Sequence, residues 1–236
     1  MEGDPERGPV DDGPDQEPRE NADGRRTDEN PTGGEGRPEP EGPHPQVFVR
    51  SALVFYGVMG CVALVWRMGA GAESIFHPGP ERDPEAWGVA SAIGIGLVFG
   101  LLAVGLSEVL TRWTRLGDAL AETLGRSLVG IGRGDALLLA LASGTAEEML
   151  FRGALQPVVG LVWASLIFGA CHFLPRRELI AWSFFAAGMG FALGWLFEWT
   201  GQLAAPIAAH AAVNGINLPR LARRFEGRAR GVDEGR

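Results

Sequence analysis

The stretch SGTAEEMLFRGAL, Ser143 to Leu155, places two adjacent carboxylates, Glu147 and Glu148, and a guanidinium, Arg152, between apolar runs. Two later apolar runs carry Phe168 with His172, and His210 with Asn214. Charge in apolar surroundings is costly, so ionisable residues there are rare and mark a bundle interior or a wet cavity. Helical spacing sorts them. Glu148 and Arg152 stand four residues apart with the acid on the N-terminal side, the favourable order for an ion pair. Glu147 is turned about 100° from Glu148 and is left without that partner. Phe168 shares a helix face with His172, and His210 shares one with Asn214. A buried Glu–Arg pair can simply hold helices together, and a single membrane histidine can be an ordinary hydrogen-bonding group. A free carboxylate, two imidazoles and an amide on three segments are more than packing requires, and they are the equipment of general acid–base chemistry.

The elements that must position these groups are long and apolar. Gln46–Trp66 and Trp87–Leu106 are each about 20 residues, the length that spans a ~30 Å hydrocarbon core as a helix. Four further stretches, about 135–157, 158–174, 179–199 and 203–219, read as spans that carry the polar residues. Between them, residues 111–130 repeat Leu116, Leu120, Leu124 and Leu128 among charges, the pattern of an amphipathic helix lying at the membrane surface. The expected fold is therefore all-α, a polytopic membrane helical bundle of about six transmembrane helices plus one interfacial amphipathic helix. The loops agree with this count. Arg112, Arg115, Arg126, Arg133, Arg176, Arg177 and the arginines after residue 219 all fall on one side if both ends of the chain are cytoplasmic. Gly96 with Gly100, and Gly190 with Gly194, have the spacing that lets helices approach closely.

Three regions are expected: a tail over 1–45, a membrane domain over 46–220 with its motif-bearing core at about 90–220, and a basic tail over 221–236. The net charge of −8 belongs to the first. Residues 1–45 hold 14 acidic against 5 basic side chains, a net of −9, so the rest of the chain is close to neutral. That tail has almost no large apolar side chain, reads as a disordered spacer, and lacks the apolar core of a signal peptide. The two cysteines, Cys61 and Cys171, lie in apolar runs without a CxxC pair and are expected to be buried free thiols. Every basic side chain apart from the four histidines is arginine, which reads as genomic composition. Two of those histidines, His44 and His77, fall outside the spans.

EEMLFR, FGACH and HAAVN fit the patterns EExxxR, FxxxH and HxxxN, in that order, on successive apolar segments. The ordered set resembles the CAAX protease and bacteriocin-processing family of intramembrane endopeptidases over about residues 90–220. The resemblance implies a glutamate-type peptidase. Glu147 is then the base acting on water with the help of His172, and His210 and Asn214 face the oxyanion. Glu148 and Arg152 form the supporting pair, and Phe168 packs beside His172. Chemistry favours this division, since an amide cannot be a base but can hydrogen-bond an oxyanion. No cofactor is expected. The alternative is zinc on Glu147, His172 and His210, which lack an HExxH arrangement. Expected partners are the lipid bilayer and a membrane-associated peptide or protein substrate, with no nucleic acid. The expected location is a bacterial inner membrane. A transporter or proton relay using the same buried groups, or an inactive binding protein, are the competing readings.

Overall fold

An apolar run surrounded by lipid can satisfy its backbone only within itself, so helices follow from the composition. The computed structural model describes residues 45–71, 74–77 and 88–233, and every regular element among them is helical. The acidic tail, His44, most of the loop between the first two spans and the last three residues lie outside the described residues. The elements run α1 (Pro45–Gly69), α2 (Val89–Trp113), α3 (Leu116–Leu128) and α4 (Arg133–Glu148). A π-helical segment (Met149–Leu155) leads into α5 (Gln156–Cys171), and a 3-10 turn (Arg177–Leu179) into α6 (Ile180–Thr200) and α7 (Ala204–Asp233).

This is the helical membrane bundle that was expected, divided differently in two places. Among the described residues, four stretches are long and apolar enough to cross a membrane: Pro45–Gly69, Val89–Trp113, Arg133–Cys171 and Ile180–Thr200. The third is 39 residues long and contains the third expected span and most of the fourth. It is not one rod. Gly160 sits at φ 82°, ψ 164°, a backbone conformation that L side chains rarely adopt. The rings of Phe151 and Phe168 stand 4.9 Å apart, whereas an unbroken helix would separate those positions by about 25 Å. The chain therefore doubles back at Gly160, and the end of α5 returns beside the π segment. The sixth expected span falls in α7, whose polar side chains set it apart from the apolar class. It packs against α2, α3 and α4 instead.

Small residues bring α7 close to its neighbours. A Cβ on Gly100 would lie 2.6 Å from the Ala209 carbonyl oxygen, and one on Gly96 would collide with that of Ala205. On the other side, Gly144 of α4 leaves only 3.1 Å between such a Cβ and the backbone nitrogen of Ala211. Both approaches fix α7 by its backbone, so the faces carrying His210 and Glu147 are held in register. Gly100→Val is accordingly expected to lower the melting temperature in detergent, by the ~1–3 kcal/mol typical of forced overpacking. An unchanged melting temperature would show that the α2–α7 contact is not tight.

Three of the four leucines of α3, Leu116, Leu120 and Leu128, are buried, while Leu124 is exposed. Leu116 and Leu120 pack with Leu179, Leu174, Trp182 and Leu221. The apolar stripe is thus largely spent on the protein rather than on lipid. The cysteines correct an expectation. Cys61 and Cys171 are free but exposed, Cys61 among outward-facing Val54, Val58, Val62 and Val65 of α1. A helix in lipid is apolar on its outer face as well as its inner one, so an apolar neighbourhood does not imply burial in the protein.

Candidate active site

Glu148 and Arg152 form the expected pair across the junction of α4 and the π segment. Arg152 donates from Nη1 to Glu148 Oε1 at 3.1 Å, and its Nε lies 3.0 Å from Oε2. The first contact is a hydrogen bond between ions; the second brings opposite charges together without one, and Glu148 Oε2 has no hydrogen-bond partner among the described residues. Glu148 is fully buried and Arg152 is 1% exposed. The remaining guanidinium nitrogen, Nη2, donates to the Gly190 carbonyl on α6 at 3.0 Å. The guanidinium carbon also stands 4.6 Å from the centre of the Phe168 ring, a cation–π contact. The wide π turn carries Arg152 to α6, and such turns are rare and often accompany functional sites. Gly153 belongs to the same turn, where a Cβ would collide with Ile75.

Glu147 faces elsewhere, as its position on the helix dictates. It is 9% exposed, and its buried Oε2 has no hydrogen-bond partner among the described residues. Two imidazoles face that oxygen, His172 Nε2 at 3.8 Å and His210 Nε2 at 3.9 Å. The far nitrogen of each ring is already engaged. His172 Nδ1 lies 2.8 Å from the Phe168 carbonyl, so as a donor it leaves Nε2 with a lone pair toward Glu147. His210 Nδ1 lies 2.8 Å from Glu148 Oε1, which makes His210 a bridge between the two glutamates. Phe168 holds the rings from below, 4.4 Å from the centre of His172 and 6.2 Å from that of His210. Three helices thus bring Glu147, His172 and His210 together, with Glu148, Arg152 and Phe168 supporting them.

Asn214 is one turn beyond His210 on α7 and donates from Nδ2 to Ser143 Oγ at 2.9 Å. Ser143 is buried and lies one turn before Glu147, on the same face. Sequence reasoning passed over it, although the four-residue spacing to Glu147 was there to be used. It also passed over Tyr56, the chain's one tyrosine, whose hydroxyl comes beside Ser143 and within electrostatic range of Glu147. A polar tip inside the otherwise apolar first span was its signal. A further unforeseen link ties α5 to α6, where Gln156 Nε2 donates to Glu198 Oε1 at 2.9 Å and lies 3.2 Å from the Gly194 carbonyl. The Gly190 and Gly194 carbonyls therefore accept side-chain donors, in addition to allowing close packing.

Glu147, His172 and His210 are also the side chains that could hold a metal. Ligand atoms bound tetrahedrally at 2.0–2.1 Å stand roughly 3.3–3.4 Å apart, and the separations of 3.8 and 3.9 Å are wider. No group of three His, Cys, Asp or Glu among the described residues is drawn in far enough to hold an ion. The arrangement suits a small molecule with protons to give, lodged between one carboxylate oxygen and two ring nitrogens.

Residues 133–216 match the family described as Type II CAAX prenyl endopeptidase Rce1-like. That stretch takes in all three motifs, in agreement with the family read from them. The uncharacterized protein YpbD of Bacillus subtilis (strain 168) is 45% identical over 82 residues, which make up 34% of this chain and 42% of that protein. The matched stretch thus covers less than half of that relative. No solved structure matches the chain.

Proposed function

We propose that the chain is an intramembrane endopeptidase, a reading supported by the match of residues 133–216 to the Rce1-like family of CAAX prenyl endopeptidases. It hydrolyses a peptide bond of a membrane-associated protein or peptide. The observation that carries this reading is the buried, unpartnered Glu147 Oε2 facing two imidazole nitrogens.

A single water spans the 3.8 Å between Glu147 Oε2 and His172 Nε2, giving one hydrogen to each at ordinary hydrogen-bond lengths. Its lone pair is then free to attack a carbonyl carbon. Glu147 takes the water's proton as the new C–O bond forms, and the carbonyl oxygen becomes an oxyanion. Asn214, anchored on Ser143 through one of its two N–H groups, offers the other to that oxygen. His210, whose Nδ1 faces the Glu148 carboxylate, offers Nε2 when that nitrogen also carries a proton. When the C–N bond breaks, the proton held by Glu147 passes to the departing amine. The products are a carboxylic acid and an amine, and the site returns to its starting state. Glu148 and Arg152 hold the geometry and take no part in proton transfer.

The protein works in a bacterial inner membrane with both termini cytoplasmic, a reading supported by the arginine bias of its loops. Hydrolysis proceeds without a metal. Cleavage of a membrane-protein pool by purified protein in vesicles is therefore expected to survive exhaustive chelation. Loss of activity restored only by added zinc or another divalent ion would replace the water-and-carboxylate mechanism with a metal-based one.

A further inference from the structure

A partly enclosed, mainly apolar cavity of about 210 Å³ lies between α2, α3, α6 and α7. Asn214 lines it, so the cavity and the candidate active site share a side chain. Trp182, another lining residue, stands 6.3 Å from the His172 ring centre and stacks on Phe185 at 5.8 Å. Leu120, Leu124 and Val213 supply further apolar surface. The cavity therefore borders the candidate active site through Asn214 and Trp182.

From this geometry, and resting on the protease reading above, we infer that the cavity is the specificity pocket for one unmodified apolar side chain flanking the scissile bond. Size sets the class of occupant. A cavity of about 150 Å³ holds one benzene molecule, so 210 Å³ suits Leu, Ile, Met or Phe and is too small to enclose a long isoprenoid chain. At the rim, Arg224 bonds Asp118 at 2.8 Å, and Glu108 is shared between Arg112 at 3.0 Å and Arg220 at 3.8 Å. A lipid tail could enter an apolar space, but it would have no reason to meet Asn214. A substrate side chain next to the cut lies beside Asn214 on the protease reading, in which that amide faces the oxyanion.

The test uses the full chain in phosphatidylethanolamine and phosphatidylglycerol vesicles, offered peptides from a digest of membrane proteins, with new termini read by mass spectrometry. Cuts that depend on Glu147 are expected to show Leu, Ile, Met or Phe enriched at one flanking position. Val213→Phe fills the pocket and is expected to lower kcat/KM for a Leu or Phe peptide about tenfold or more while sparing the matched Ala peptide. Phe185→Ala enlarges it and should shift preference toward Trp. A farnesylated cysteine at that position should be no better than Leu. Glu147-dependent cutting with the same preference in both variants, or cutting only of the farnesylated peptide, overturns the pocket alone. The absence of any Glu147-dependent cut overturns the protease reading, and the pocket with it.

Discussion

Glu147→Gln is expected to abolish cleavage of a membrane-associated substrate while leaving a folded protein. The loss should reach ~10²–10⁴-fold in kcat or more, the range associated with removing a general base. The amide keeps the size of the carboxyl group but cannot accept a proton from water. The fold should tolerate the change because Glu147 Oε2 has no hydrogen-bond partner to lose. Initial rates and a melting curve on the same detergent preparation check both halves. Full cleavage with an intact melt rejects Glu147 as the base. Loss of cleavage together with collapse of the melt would mean that the residue is structural.

Arg152→Ala should do the reverse and act first on the fold. It strips Glu148, fully buried, of its ion-pair partner, and it removes the donor that ties the π segment to Gly190 on α6. Breaking one side of a buried pair typically costs 3–5 kcal/mol because the other charge stays behind. Folded protein is therefore expected to be scarce, with a melt far below that of the parent chain. Glu148→Gln also breaks the pair, but it keeps a group that can accept from Arg152, so its melt should fall less. Equal melts for the parent and Arg152→Ala would show that the pair contributes nothing to the fold. The two neighbouring glutamates are thus separated by experiment as they are by geometry, one spent on structure and the other left open.

Much of this site was legible in the chain because its signals are local. The four-residue step from Glu148 to Arg152, and from His210 to Asn214, survives in the structure as shared faces. The 100° turn between Glu147 and Glu148 appears as two environments, one facing two imidazoles at 3.8 and 3.9 Å and one bonded through Oε1 to Arg152 and His210. What escaped depends on where the backbone goes. The run from Arg133 to Cys171 is long and apolar enough to read as one stretch, and the φ of Gly160 marks the reversal that sets Phe168 against Phe151. Nothing in the MLFRGAL composition distinguishes a π turn from an α turn, yet that turn accompanies the reach of Arg152 to Gly190. Ser143 looked like a small residue in a helix until Asn214 came to it from α7. The exposed cysteines escaped for a different reason, since lipid and protein interior ask for the same side chains.

The central claim is that Glu147 makes this chain a peptidase within the membrane, and the most direct test is made where the substrate already is. Membranes from cells carrying the parent chain or Glu147→Gln at equal levels are compared for the termini of all their proteins. A defined set of membrane-associated proteins is expected to carry new termini only with the parent chain, and each should disappear in the variant. Identical termini in the two membranes, with both proteins folded and present, would contradict it.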